Sequence, residues 1–197
     1  MDIKIPYTPR KHQKLLHQQI DKHRWSVLVC HRRFGKTVCM INHLIKSALM
    51  SKQKNPRFAY LAPTFKQAKS IAWDYMKQFT DKIPHTKFNE TELRVDLPNG
   101  ARITLLGSDS PDGLRGIYLD GCVIDEYANV NSRLFPEIIR PALSDRKGYC
   151  VFIGTPAGMN NNFYELYQHA NGADDWFNYK AKASDTKIVD EEELVKA

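Results

Sequence analysis

The chain has 197 residues, 42% of them hydrophobic and 26% charged, with a formal net charge of +7 at pH 7. This composition allows one substantial core and excludes disordered and fibrous classes. No apolar run has the length of a membrane span and the opening MDIKIPYTPRK lacks the apolar centre of a signal peptide, so a soluble intracellular protein is expected.

Clustered Lys and Arg displace the counterions condensed on nucleic acid, so the basic balance favours polyanionic partners without identifying one. Cys30, Cys39, Cys122 and Cys150 lack paired spacing, which predicts reduced, buried thiols. The histidines form no set with metal-ligand spacing, and no zinc is expected.

KHQKLLHQQ reads as a basic helix near the N-terminus. Residues 26–30, SVLVC, form an apolar strand, followed by a helical pattern through Val38, Ile41, Leu44, Ile45 and Leu49. The strand RFAYLAP, 57–63, leads through a cap at Thr64 into a second helical pattern at Ala68, Ile71, Ala72, Tyr75 and Phe79. ELRVDL, the turn Pro-Asn-Gly and ARITLLG predict a β-hairpin over 92–107. GCVIDE, 121–126, and YCVFIGTP, 149–156, are apolar strands flanking a helical pattern at Leu134, Ile138, Ile139 and Leu143, and Trp176 to Lys182 is a candidate last strand. Beyond it the chain turns polar and acidic at Asp190 to Glu193. Alternating strands and helices imply an α/β protein with a mainly parallel sheet covered on both faces.

Cys30-His31-Arg32-Arg33-Phe34-Gly35-Lys36-Thr37 matches the phosphate-loop pattern at Gly35, Lys36 and Thr37, and carries Cys30 where that pattern has its first glycine. The loop joins a buried strand to a helix N-terminus, whose unpaired amides and positive dipole end receive phosphate oxygens. On this reading Arg33, Phe34 and Gly35 wrap the nucleotide, Lys36 meets the β- and γ-phosphates of ATP, and the Thr37 hydroxyl coordinates the accompanying Mg2+. The alternative is an ordinary strand-to-helix turn with a solvated lysine.

The strand ending at Ile124 delivers Asp125 and Glu126 to its carboxyl edge, where open α/β sheets bind ligands. Asp125 suits Mg2+, held through its water shell, and Glu126 suits the base that activates water. Alone, such a pair often only complements a helix dipole. Its order after a phosphate loop favours an ATPase.

With Arg32-Arg33-Phe34-Gly35-Lys36-Thr37, Val123-Ile124-Asp125-Glu126 and Gly154-Thr155-Pro156 together, the chain resembles the N-terminal ATPase domain of the large terminase subunit of tailed bacteriophages, from Tyr7 to the last strand. The resemblance implies a P-loop NTPase with a RecA-like additional-strand (ASCE) sheet, here carrying the β-hairpin insertion. It also implies a motor that packages double-stranded viral DNA into a capsid, working as a homo-oligomeric, usually pentameric, ring at the portal in the infected host cytoplasm, with a small terminase subunit as a possible partner.

By the same resemblance Arg32 senses the γ-phosphate within its own subunit. Arg115, in Gly113-Leu114-Arg115-Gly116, is the arginine finger for a neighbour. Thr155 couples phosphate loss to motion, and Tyr7, Arg10 and Gln13 form the adenine side. Solvated loop arginines and a strand-ending turn are the plainer readings.

Residues 1–175 are expected to form the ATPase core and 176–197 its last strand and the start of a lid or linker, with the family's nuclease domain absent. Lys46, Lys52, Lys54, Lys66, Lys69 and Arg133 are candidate DNA contacts. A related helicase-type ATPase and a catalytically silent nucleic-acid-binding scaffold stand as the competing functions.

Overall fold

The computed structural model describes residues 4–186. The acidic stretch at 190–193 lies outside the described residues.

The described elements form an eight-stranded sheet in the order β3-β4-β5-β2-β6-β7-β1-β8. β1 (Trp25–Cys30), β2 (Arg57–Ala62), β5 (Arg102–Gly107), β6 (Gly121–Ile124), β7 (Tyr149–Gly154) and β8 (Trp176–Ala181) run parallel. β3 (Lys87–Asn89) and β4 (Arg94–Asp96) add on antiparallel at one edge. The central strands β1 and β6 are buried throughout because helices cover both their faces, as parallel strands require. Of β5, only alternate residues are buried, as suits a strand nearer the edge.

One core lies between the sheet and the helices α1 (Lys11–Ile20) and α2 (Lys36–Met50), and includes Leu28, Leu44, Ile45, Tyr60, Val123 and Trp73. The other lies on the opposite face, where Val27, Ile124 and Phe152 meet Leu134, Ile139, Leu143 and Phe163. The four cysteines are buried free thiols, and the Cys122 and Cys150 sulfurs lie 3.4 Å apart on neighbouring strands.

The predicted hairpin forms, with Arg94 opposite Thr104 and the turn closed by the Gly100 N–H on the Leu97 carbonyl at 3.0 Å. β3 extends it and had no periodic signal over its three residues. α6 (Asn162–Ala170) also lacked a clear signal in the sequence, although its Asn161 cap accepts from the Phe163 and Tyr164 amides, both at 3.0 Å.

The second helix departs from expectation. α3 (Phe65–Ala68) and α4 (Asp74–Thr80) are joined by a π-helical turn, Lys69–Trp73. The extra residue of a π turn rotates everything after it by about 100°. Ala68, Ala72 and Phe79 therefore stay buried, whereas Ile71 and Tyr75 are 36% and 41% exposed, and Trp73 and Met76 take their places inside. A second π turn, Phe135–Ile139, precedes α5 (Arg140–Ser144), which carries Pro141, a residue with no amide to give the ladder. The four apolar positions predicted here, Leu134, Ile138, Ile139 and Leu143, are all buried.

At the end of β5, Gly107 touches the start of α3 so closely that a Cβ would stand 2.2 Å from the Phe65 amide nitrogen and 2.8 Å from its Cα. Backbone cannot yield as a side chain can, so Gly107→Ala should cost about 1–3 kcal/mol. The expected result is a lower urea midpoint at unchanged m-value.

Candidate active site

β7 lies between β1 and β6, with Val29 paired to Gly154 and Ile124 to Phe152. Because all three strands run in one direction, the residues leaving their carboxyl ends emerge along one edge. The phosphate loop follows β1, Asp125 and Glu126 follow β6, and Thr155 follows β7.

Gly35 caps α2 with φ +84°, a left-handed conformation that suits glycine. A Cβ on it would also sit 3.0 Å from the Gln13 side-chain nitrogen. Lys36 donates to the Cys30 and His31 carbonyls at 3.3 and 3.4 Å, which holds its ammonium inside the loop's own curve. Phe34 is buried, so its ring belongs to the core and only its backbone can face a nucleotide. Arg32 is exposed on the loop, as is Arg33, which adopts φ +66°.

Asp125 is 3% exposed. One carboxylate oxygen accepts the Glu126 amide at 2.8 Å, and the other accepts the hydroxyl of Tyr60, a wholly buried residue of β2. Burial pushes the Asp125 carboxyl above its ordinary range, the Tyr60 hydrogen bond pulls it down, and the Glu126 charge adds to the upward shift. Hard oxygens on Thr37, at the start of α2, and on Asp125, just past β6, make a donor set that fits Mg2+.

Glu126 adopts φ +46° and ψ +48°, a strained choice for a residue with a Cβ, which turns the chain sharply after the strand. Its carboxylate accepts the Thr155 hydroxyl at 3.3 Å.

Arg115 is exposed and lines cavities with Pro111, Asn131, Arg133, Glu137 and Ile138. No phosphate-loop residue lines either cavity.

The N-terminal trio divides. Gln13 accepts the Arg10 amide at 2.9 Å and donates to the Gly35 carbonyl at 3.3 Å, while the Arg10 guanidinium reaches the Phe34 carbonyl at 3.4 Å. Tyr7 instead bonds His17 at 3.0 Å and borders a cavity of about 370 Å³ with Pro9, Lys14, Asn42 and Lys46. Sequence reasoning missed Tyr60. Its one signal was a phenol inside an otherwise apolar strand, which must find a hydrogen-bond partner when buried.

Residues 29–196 match the model of the family described as terminase large subunit, T4likevirus-type, N-terminal. The chain belongs to this terminase family. The large terminase subunit of Thermus phage G20c is 30% identical to it over 126 residues, 54% of this chain and 26% of that protein. The chain thus spans about a quarter of the length of the curated relatives it matches.

Among solved structures, the large terminase ATPase domain of Thermus phage P74-26 matches with a TM-score of 0.81 at 22% identity, over 98% of this chain and 88% of that one. The large terminase of another thermophilic bacteriophage, solved in complex with ADP, matches with a TM-score of 0.78 at 16% identity, over 94% and 48%. The RecA-like additional-strand P-loop fold expected of a terminase is the fold found, with β7 as the strand inserted between loop and acid strands.

Behind the terminase loop, α1 and α2 are joined by two imidazoles, His17 half-buried and His43 buried. The His17 and His43 Nδ1 atoms lie 3.0 Å apart, with Tyr7 and Cys39 on His17, and Asp21, itself paired to Lys46, facing His43. Burial, with Lys46, holds His17 down to about 4; burial, with His17, holds His43 down to about 3. Unfolded imidazoles protonate near 6.5, so below that pH the unfolded chain binds protons that the folded chain refuses. Stability should therefore be full above pH 6.5 and fall as pH drops toward 4. Thermal midpoints across this range should show a shallower loss in His43→Gln than in the wild type.

Proposed function

We propose that this chain is the ATP-hydrolysing motor domain of a DNA-packaging machine, driving double-stranded viral DNA into a capsid. The observation that carries this reading is the meeting, at one sheet edge, of the Lys36 loop with the Asp125 and Glu126 carboxylates, in a chain of the terminase family. The ADP complex of the thermophilic-phage relative supports a nucleotide as the ligand of that edge.

In this mechanism the amides at the start of α2 and the Lys36 ammonium bind the β- and γ-phosphates, and Arg32 reads the γ-phosphate from the same loop. Thr37 and Asp125 hold Mg2+, which when bound neutralises charge on the phosphate oxygens. Glu126 orients the attacking water and takes its proton, with the Thr155 hydroxyl fixing the carboxylate's direction. The contact between Thr155 and Glu126 also ties β7 to the reacting centre, so loss of the γ-phosphate is felt by that strand.

Arg10 and Gln13 set the adenine side through their hold on the loop, with Tyr7 just before α1. Arg115 acts on a neighbouring subunit of a ring, five-membered by resemblance and seated at the portal. We assign the core to 1–175 and the last strand with the start of a lid to 176–197. The setting is the cytoplasm of the infected host, and among the described residues no helix is long and apolar enough to cross a membrane.

Glu126→Gln should lower ATP turnover by about 100-fold or more while nucleotide still binds, since a lost proton acceptor is worth about 10²–10⁴ in rate. Steady-state turnover and equilibrium binding, measured side by side, check this. Unchanged turnover would remove Glu126 as base, and absent turnover in the wild type on capsid portals would remove the motor reading.

Mixing Arg115→Ala with Glu126→Gln chains should restore part of the activity that each lacks, because some neighbouring pairs then contain one intact base and one intact arginine. No recovery in assemblies shown to be mixed would count against action between subunits.

A further inference from the structure

We propose that Tyr60 is a positioning residue that sets the magnesium-binding carboxylate of Asp125 before the metal arrives. The inference rests on the nucleotide reading of this site and extends it to a side chain on a strand that carries no part of the phosphate loop or the acidic pair.

Tyr60 sits on β2, whose neighbour is β6, with Tyr60 opposite Val123 and Leu61 opposite Ile124. The ladder continues past β6, where the Asp125 amide donates to the Leu61 carbonyl at 2.8 Å, so the backbones beside Tyr60 and Asp125 are fixed relative to each other. On the α2 face of the sheet, the Tyr60 ring is packed into the core at 0% exposure. Neither the ring nor the strand can move without disturbing that core.

A phenol has one proton and accepts through its oxygen. Here the proton goes to Asp125, so the phenol donates and the carboxylate oxygen accepts.

Asp125 has about four acceptor directions, and Tyr60 and the Glu126 amide use one on each oxygen. The remaining lone pairs are left for a metal-bound water. A carboxylate that is 3% exposed cannot replace a lost donor with bulk water. Without the phenol, Asp125 keeps one anchor, the Glu126 amide, and is free to rotate about it.

The test is the binding of ADP carrying a fluorescent label on its ribose, titrated with Mg2+ and repeated in EDTA, for wild type, Tyr60→Phe, Asp125→Asn and the double variant. Phenylalanine keeps the ring and removes only the hydroxyl. Tyr60→Phe should bind labelled ADP as well as the wild type in EDTA, but need about tenfold more Mg2+ for half of the metal-dependent gain, the size expected for one hydrogen bond to a charged group. In the Asp125→Asn background, Tyr60→Phe should add little further shift.

An unchanged Mg2+ midpoint overturns the proposal. So does an equal loss of affinity with and without Mg2+, or a variant that fails to fold, since either would make the hydroxyl purely structural. Wild-type protein that binds labelled ADP under neither condition would instead bring down the nucleotide reading itself, and this role with it.

Discussion

Three neighbouring strands, β6, β7 and β1, run in the same direction and in register, and the placing of every reactive group follows from that. Hydrogen bonds fix the strands laterally, with Val29 beside Gly154 and Ile124 beside Phe152. Their ends cannot slide independently, because a slip of one residue would turn each buried side chain to the opposite core. The loop lysine, the acidic pair and Thr155 lie far apart along the chain, yet they inherit one edge from this pairing. The two cores on either side, one under α1 and α2 and the other under α5 and α6, hold the edge rigid.

On that edge, polar groups are placed by local devices of differing cost. Gly35 takes a left-handed turn with little strain, whereas Glu126 takes one despite its side chain. The hydrogen bond from its own amide to Asp125 helps to hold it there. Two adjacent carboxylates thereby face different surroundings. Asp125 is sunk among donors, and Glu126, half-buried, accepts the Thr155 hydroxyl. In the proposed mechanism this difference separates holding a cation from accepting a proton.

Much of this was legible from residues alone, for identifiable reasons. The continuous apolar runs SVLVC, GCVID and YCVFIG announce strands covered on both faces, and the turn Pro-Asn-Gly announces the hairpin. The phosphate loop was readable despite Cys30, because its geometry depends on Gly35 and on the helix that follows. What escaped was set by contacts distant in sequence. No local pattern marks the π turn at 69–73, so the inward face of that helix was placed on Ile71 and Tyr75 in place of Trp73 and Met76. Tyr60 was hidden inside an apolar strand, since its partner, Asp125, belongs to the turn after β6. The separation of Tyr7 from Arg10 and Gln13 likewise depends on His17, a partner chosen by packing.

The grip of Gln13 and Arg10 on the phosphate loop has a mechanical side. α1 is a stiff rod about 15 Å long, pinned at its first turn to the carbonyls of Phe34 and Gly35 and resting further along on α2 through His17 and His43. Leu16 and, at its far end, Ile20 are sunk in the core, so the rod is clamped along its length and braces the loop it grips.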